Sequence, residues 1–191
     1  RIWTVNDNAT IGVFGTYATT AVYPAGELYK TITIDEHKKQ AIEFKDKEGK
    51  VILKKVQLTA LSDDGTGSGY PNWLNTFYIY DDFDNLRCVI QPEGVKAILP
   101  TWSLTGALLD EQCFRYEYDQ RNRVVTKKVP GAGEVWMVYD GRDRLVMTQD
   151  ANMRNLQKWM VTTYDELDRP STTGFVNSTN NRDYFATQTT Y

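Results

Sequence analysis

Four Tyr-Asp pairs form the most regular set of potentially reactive side chains in the sequence, and in three of them an arginine follows the aspartate by four residues. A group of carboxylates could serve as the acid and base of a catalytic site. These aspartates, however, hold equivalent places in similar segments, which favours a structural role as acceptors of backbone N–H groups and partners of the nearby arginine. The pattern comprises Tyr80, Asp81, Tyr118, Asp119, Arg123, Tyr139, Asp140, Arg144, Tyr164, Asp165 and Arg169.

Other candidates for catalysis or ligand binding are few. His37 is the only histidine and lies among charged residues, so a solvated turn residue is favoured over a general base. The segment 62–69 is rich in Asp, Ser and Gly, but it lacks the lysine of a phosphate-binding loop and the spacing of a calcium loop. We interpret it as a flexible loop. We therefore predict no catalytic residue, no metal site and no cofactor, and we expect that the chain is not an enzyme.

Four tryptophans offer a different kind of site, a platform of exposed aromatic rings that stack on a ligand such as a sugar. The candidates are Trp73, Trp102, Trp136 and Trp159. Aromatic residues on strands more often pack against neighbouring strands, so a location in the core is favoured and the platform is the alternative.

Cysteine content and charge narrow the function further. Cys88 and Cys113 are the only cysteines, their spacing matches no zinc or redox motif, and they form either two buried free thiols or a disulfide. With 25% charged residues and a net charge of -3, the chain lacks a basic field that would gather nucleic acid. There is no apolar run long enough to span a bilayer, so we predict no membrane insertion. The first residues lack the order of a signal peptide, so an export signal is expected elsewhere.

The elements around the Tyr-Asp pairs are predicted to be β-hairpins. Composition favours sheet, because the chain has 12 Tyr, 5 Trp and 7 Phe. Phe114, Tyr116 and Tyr118 fall on one face at a spacing of two, as expected for a strand with one buried face. Four residues after each tyrosine stands an Asn or Asp, types that tolerate the left-handed backbone conformation of a tight turn. These positions are Asp84, Asn122, Asp143 and Asp168.

The segments between these hairpins contain further turns and one predicted helix. Pro, Gly and Asn predict turns at 92–94, 130–133 and 150–152. Ser103 can cap a short helix at about 103–112 that packs on the sheet. The segment 46–51 has the turn Asp, the Gly and the basic residue in register, so we interpret it as a degenerate copy, and Asp35 marks a further candidate.

The three copies with arginine resemble the YD repeat of RHS proteins, Tc-toxin shell subunits and teneurins, in which Gly, Arg and an apolar residue follow two residues after Tyr-Asp. The resemblance covers about residues 30–175, and the segment 23–30 is similar to RHS-type proteins of Bacteroidetes. The sequence departs from the repeat where the family has glycine, because Asp or Asn stands there in all four copies. Pro170, which follows the last arginine, suggests a sheet edge, since proline removes a ladder donor.

The resemblance and the strand pattern together predict an all-β, mainly antiparallel fold, in which consecutive β-hairpins of YD repeats form a curved open sheet of about ten strands. We expect an N-terminal extension of uncertain structure at 1–29 and the YD-repeat sheet at 30–175. An insertion at 92–113 should carry the short helix near 103–112. Residues 176–191 should form a C-terminal tail or an edge strand.

The function that this resemblance implies is structural. We expect a non-enzymatic segment of a large exported bacterial protein, secreted or at the cell surface, that contributes part of a β-sheet shell or scaffold. Its partners would be neighbouring repeats of the same parent, with an enclosed polypeptide cargo or a surface partner, and its free sheet edges should favour self-association. The family's autoproteolytic core has no counterpart here. The alternative is an aromatic-rich module that binds carbohydrate or a protein partner.

Overall fold

A computed structural model describes residues 1–59, 63, 65, 67 and 69–189, and in these residues the chain forms 13 strands and four short helices. The strands are β1 (Ile2–Asn6), β2 (Thr16–Ala21), β3 (Tyr29–Ile34), β4 (Gln40–Lys45), β5 (Val51–Gln57), β6 (Trp73–Tyr80), β7 (Leu86–Ile90), β8 (Cys113–Tyr118), β9 (Val124–Lys128), β10 (Val135–Tyr139), β11 (Leu145–Gln149), β12 (Lys158–Tyr164) and β13 (Pro170–Asn177). The helices are α1 (Pro92–Ile98), α2 (Gly106–Gln112), α3 (Ala151–Asn155) and α4 (Arg182–Gln188).

The strands pair in two antiparallel sheets. β1 pairs with β2, and β3 to β13 form an 11-stranded sheet in which the spatial order of the strands follows their order in the chain. Strands that pair with their neighbours in sequence are the arrangement of consecutive hairpins. The predicted all-β fold of consecutive hairpins in an open, mainly antiparallel sheet is therefore confirmed.

The chain divides into two compact units. Unit 1 contains residues 1–8 and 15–115, and unit 2 contains residues 9–14 and 116–191. The division falls within β8. The short segment 9–14 belongs to unit 2, although the chain on both sides of it belongs to unit 1.

The segments outside the predicted repeat region have regular structure. Residues 1–29 contribute β1, β2 and the first residue of β3, and residues 176–191 contain the end of β13 and helix α4. Of the predicted flexible loop at 62–69, only residues 63, 65, 67 and 69 are among the described ones, and the rest of it lies outside them.

The core of unit 1 is apolar and rich in aromatic rings. Every second residue of β6 is buried, as expected for a strand with one face on the core. The ring of Phe77 at its centre is fully buried and lies 5.8 Å from Trp102 and 6.4 Å from Trp3. Helix α1 adds Val95 and Ile98 to the same cluster. Unit 1 therefore has a continuous core between its strands and its first helices.

The core of unit 2 is smaller. It consists of the buried side chains of Val138, Met147 and Trp159, on which the ring of Phe185 from α4 packs. The Phe185 ring lies 5.1 Å from that of Trp159, and the Trp159 Nε1–H donates to the backbone oxygen of Asn180 at 3.2 Å. One indole thus connects the strands of unit 2 to its C-terminal helix.

The helix predicted near 103–112 is present as α2, but the predicted cap is wrong. Thr105 caps it, because its Oγ1 accepts the N–H of Leu108 at 3.3 Å and its backbone oxygen accepts that of Leu109 at 2.9 Å. Ser103 lies before the first helical residue. Helical hydrogen bonding therefore starts two residues later than the sequence suggested.

Two of the three predicted turns between repeats are short helices instead. Pro92 begins α1, a position where the missing N–H costs nothing, and Asp150 caps α3 by accepting the N–H of Met153 at 2.7 Å. Proline and aspartate favour helix starts as well as turns, which explains the error. The turn at 130–133 is confirmed, since Ala132 N–H donates to Val129 O at 3.2 Å.

Candidate functional site

The turns that contain the Tyr-Asp pairs are the most regular feature of the molecule, and the turn at Asp140 illustrates them. Asp140 Oδ1 accepts the backbone N–H groups of Arg142 at 2.9 Å and Arg144 at 3.0 Å. The backbone N–H of Asp140 donates to Arg144 O at 3.0 Å, and that of Asp143 donates to Asp140 O at 3.1 Å. Asp143 has a φ of 63°, and a bulge at Tyr139 gives the hairpin its extra residue.

The same turn occurs six times in the part of the chain that the structure describes, and we call these segments YD-type turns. In each, the aspartate Oδ1 accepts the N–H of the residue four positions later, and the residue three positions after the aspartate has a positive φ. The aspartates are Asp35, Asp46, Asp81, Asp119, Asp140 and Asp165. The predicted left-handed positions are confirmed, with φ of 65° at Asp84, 57° at Asn122, 63° at Asp143 and 59° at Asp168.

The left-handed aspartates form ion pairs that the sequence did not predict. Arg123 Nη1 donates to Asp143 Oδ1 at 2.8 Å, and Arg144 Nη1 donates to Asp168 Oδ1 at 2.5 Å. Each arginine also donates through Nε to the aspartate of its own turn at 2.7 Å. The basic residue after one turn therefore connects its own aspartate to the left-handed aspartate of the next YD-type turn. We call this connection a rung.

A third rung lies in unit 1 and uses lysine. Lys50, the basic residue of the degenerate copy at 46–51, donates to Asp84 Oδ1 at 2.7 Å, and its Nζ lies 3.2 Å from Asp46 Oδ2. The rung thus tolerates either basic side chain. The signal in the sequence was the acidic residue that replaces glycine in three of the four copies, together with the basic residue four positions after the turn aspartate of the preceding copy.

The tyrosine of each following hairpin completes a rung. The Arg123 guanidinium carbon lies 4.9 Å from the centre of the Tyr139 ring, and Arg144 lies at the same distance from Tyr164. The Tyr139 hydroxyl donates to Val124 O at 2.9 Å, so the ring and the hydroxyl both contact the preceding hairpin. Tyr164 and Tyr80 repeat the hydroxyl contact with Leu145 O and Val51 O.

Hydrogen bonding sets the ionisation of the turn aspartates. Burial alone would raise the pKa of Asp119 and Asp140, but the hydrogen bonds from Arg123 or Arg144 and from two backbone N–H groups outweigh it and lower both pKa values. The pKa of Asp165 is lowered by the backbone and side-chain hydrogen bonds from Arg169. These carboxylates are thus held in the charged form that accepts hydrogen bonds, which is unsuited to proton donation near neutral pH.

Acid should weaken the hairpins through these aspartates. Because their pKa values are lower in the folded state than in the unfolded chain, their contribution is complete above a pH of about 5 and is lost as the pH falls below about 4, toward the lowered pKa values. We expect the part of the unfolding free energy that these aspartates contribute to be constant from neutral pH to about 5 and then to fall. Urea unfolding across this range measures it. Asp140→Asn should reduce the slope in acid, whereas Glu166→Gln, at an exposed position of the next turn, should not.

The rung also predicts a difference between two substitutions of one left-handed aspartate. Asp143 is paired with Arg121 at 2.6 Å and Arg123 at 2.8 Å. Asp143→Ala loses both exposed pairs and keeps the left-handed strain, so it should destabilise unit 2 by about 1 kcal/mol. Asp143→Gly introduces the residue type that adopts a positive φ without strain and should be about 1 kcal/mol more stable than the alanine variant.

Urea unfolding at low and high salt tests this pair of variants. Salt screens exposed ion pairs, so the difference in unfolding free energy between the natural chain and Asp143→Gly should shrink in about 1 M salt. Equal stability of the alanine and glycine variants would contradict the assignment of a strained left-handed position.

The four candidate platform tryptophans do not share one environment. Trp73 and Trp159 are buried, in unit 1 and unit 2 respectively, whereas Trp102 and Trp136 are partly buried. The Trp73 ring contacts Lys55 and the Trp102 ring packs on Phe77. In unit 2 the Trp136 ring lies 6.3 Å from that of Trp159.

Both cysteines are free thiols and fully buried in unit 1. Cys88 pairs in register with Arg115, and Cys113 pairs with Ile90, so the two thiols lie diagonally on the same face of β7 and β8. The hydrogen bond with Cys113, together with burial, raises the pKa of the Cys88 thiol well above its usual value. A protonated buried thiol is a poor nucleophile and a poor metal ligand.

Unit 2 contains a cavity of about 610 Å³ beside the turns of Asp119 and Asp140. Arg182 forms part of its wall and is almost fully buried, where it donates to Ile11 O at 2.6 Å and pairs with Asp183. Gly12, with a φ of 80°, lies against this guanidinium, and a Cβ there would be 2.8 Å from it. Arg182 therefore holds the segment 9–14 on α4.

The polar side chains of the YD-type turns contact other parts of the same sheet. Among residues 1–59, 63, 65, 67 and 69–189, no cluster of His, Cys, Asp and Glu could hold a metal ion. His37 is exposed in its turn. No helix in this part of the chain is long and apolar enough to cross a membrane. The repeated aspartates and arginines bind one another and the backbone, and so connect one hairpin to the next.

Comparison with known proteins gives similar structures only. No protein-family model matches the sequence, and no curated protein matches it. The fold is similar to that of a Tc holotoxin pore of Photorhabdus luminescens with a mutated TccC3, at a TM-score of 0.52 and 18% identity over 78% of this chain. It is also similar to that of the TcdB2-TccC3-TEV crystal structure, at a TM-score of 0.51 and 18% identity over 72% of this chain.

This likeness concerns the fold. The chain spans 6% of the length of either neighbour, so it corresponds to a small part of each. The resemblance to Tc-toxin components predicted from the Tyr-Asp copies is confirmed at the level of the fold.

Proposed function

We propose that the chain is a non-enzymatic structural segment of a larger exported protein, in which it contributes part of a β-sheet shell or of a cell-surface scaffold. The observation that carries the proposal is the rung. Lys50, Arg123 and Arg144 each connect two consecutive hairpins, so the repeated polar residues are used to build the sheet. The similar fold of Tc-toxin components supports it.

The proposal extends to the parent protein and its surroundings. The parent is an RHS-type bacterial protein, of the Bacteroidetes type that the segment 23–30 resembles, and it is secreted or displayed at the cell surface. Neighbouring repeats of the same parent are the main partners of this segment. An enclosed polypeptide is the further partner if the parent forms a closed shell.

Cell fractionation with an antibody against this chain tests the proposal. We expect a band far above 21.9 kDa in the secreted or surface fraction. Deletion of the reading frame should abolish the band, which controls for cross-reaction. A free species near 21.9 kDa in the cytoplasm would overturn the proposal.

Carbohydrate binding is a second candidate, and one observation favours it. Trp136 lines a cavity of about 280 Å³ in unit 2 together with Glu134 and Asn181, which combines an aromatic ring with polar side chains. Titration of the chain with a panel of polysaccharides should then change its tryptophan fluorescence, and Trp136→Phe should remove that change. The absence of any response across the panel would exclude this candidate.

A further inference from the structure

One basic residue of a YD-type turn in unit 2 has only half of a rung. Arg169 donates through Nε to Asp165 Oδ2 at 2.8 Å, and within the described part of the chain no left-handed aspartate of a following turn reaches it. Its side chain is 70% exposed, compared with 21% for Arg123 and 24% for Arg144, which have complete rungs.

The strand that follows Arg169 is unpaired along one edge. β13 pairs with β12, and all eight of its residues are exposed. In the described part of the chain no strand lies on its other side. The edge therefore offers backbone N–H and C=O groups to an incoming strand.

The register between hairpins is the same at the three junctions that carry rungs. The residue two positions after the start of β5, β9 or β11 pairs with the residue three positions before the next tyrosine. These pairs are Leu53 with Phe77, Thr126 with Trp136, and Met147 with Val161. In each case the next residue of β5, β9 or β11 pairs with the residue four positions before that tyrosine.

The same register applied to β13 defines where an added strand would pair. Thr172 and Thr173 would face the residues three and four positions before the incoming tyrosine. Pro170, which has no N–H, lies outside this stretch, so it does not block the ladder. Arg169 would then lie where Arg123 and Arg144 meet the next ring and the next left-handed aspartate.

We propose that the β13 edge docks a further YD-type hairpin, supplied by polypeptide outside these 191 residues, whose tyrosine covers Arg169 and whose left-handed aspartate pairs with it. The proposal rests on the structural function proposed above and adds which element binds the β13 edge and which residue it contacts. We choose this occupant because an added hairpin of this type would continue the series of three observed rungs. A second copy fits less well, because its left-handed residues Asp84, Asp143 and Asp168 already bind basic side chains.

A synthetic hairpin tests the proposal directly. The peptide copies residues 134–149 of the chain, which include the Tyr139 turn, and is closed by a disulfide between added terminal cysteines, because a lone two-stranded hairpin is marginally stable. A fluorescent label reports its binding to the full chain by anisotropy. We expect saturable binding that Arg169→Ala in the chain weakens by about fivefold or more, through loss of the ion pair and the ring contact.

Matched variants identify the rung as the cause. Replacement of the aspartate at the left-handed position of the peptide by alanine should weaken binding to the natural chain but add little to the loss in the Arg169→Ala chain. Lys96→Ala, which removes an exposed cation elsewhere, should leave binding unchanged. The proposal is overturned if the peptide does not bind at millimolar concentration. It is also overturned if neither Arg169→Ala in the chain nor the alanine substitution in the peptide weakens binding.

Two further measurements separate the possible failures. Sizing of the chain alone that shows a dimer, lost with Arg169→Ala, would place a second copy on the edge and overturn the proposal. Fractionation of source cells reports the mass and location of the parent independently of the peptide. A large surface-located parent with no peptide binding would therefore refute the docking contact and leave the structural function standing.

Discussion

Replacing Trp159 with alanine should lower the free energy of unfolding of unit 2 by about 3–5 kcal/mol, the range for loss of a fully buried large aromatic side chain. Trp159 is 0% exposed, and the described apolar cluster of unit 2 has only two other buried residues. The change removes the ring on which Phe185 packs and the hydrogen bond to Asn180. Helix α4 should therefore lose protection against amide exchange together with the strands.

Urea unfolding followed by far-ultraviolet circular dichroism measures this loss, because the substitution removes one of the fluorescent indoles. Phe175→Ala provides the control, since that ring is 64% exposed on the neighbouring β13 and should change stability by less than about 0.5 kcal/mol. A loss below about 1 kcal/mol for Trp159→Ala would mean that the indole does not organise unit 2.

Replacing Asp63 with alanine should destabilise unit 1 by about 3–5 kcal/mol, because it leaves a buried ammonium without its carboxylate. Lys55 is 0% exposed, and its Nζ donates to Asp63 Oδ1 at 2.7 Å. Asp63 also pairs with Lys30, and its side chain is 5% exposed. The Trp73 ring lies 5.0 Å from the same ammonium and cannot replace the lost charge.

A double substitution distinguishes the effect of an unpaired buried charge from the effect of lost packing. Lys55→Met together with Asp63→Ala removes both charges and should recover most of the stability that Asp63→Ala loses. Lys54→Met is the control at the adjacent, partly exposed position and should change the unfolding free energy by less than about 0.5 kcal/mol. If the double variant is no more stable than Asp63→Ala, the buried charge is not the origin of the effect.

The hairpins could be predicted from the sequence because their turns are specified locally. An aspartate that accepts two backbone N–H groups and an Asn or Asp that adopts positive φ determine a YD-type turn within six residues, and both residue types are visible in the chain. The degenerate copy at 46–51 follows the same rule, with Gly49 at a φ of 88°. Antiparallel pairing of neighbours in sequence then follows from the turns.

Features that depend on distant residues could not be predicted in this way. The left-handed aspartates were recognised as turn residues, but their pairing with the basic residue of the preceding turn depends on hairpin register. The burial of Lys55 is of the same kind, since alternation in β5 does not distinguish a buried lysine from an exposed one. Helices α1 and α3 start at Pro92 and after Asp150, residue types that also favour turns, and their sequences alone did not distinguish a short helix from a turn.

The rungs also restrict which insertions and deletions the gene can accept. Tyr118, Tyr139 and Tyr164 are separated by 21 and 25 residues, and each interval carries two strands. Recombination that duplicates or deletes a whole hairpin keeps the turns that carry the rungs on the same edge of the sheet. A change of one strand would move the following turns to the opposite edge of the sheet and separate these partners. Length variation among descendants of this segment should therefore occur in units of two strands.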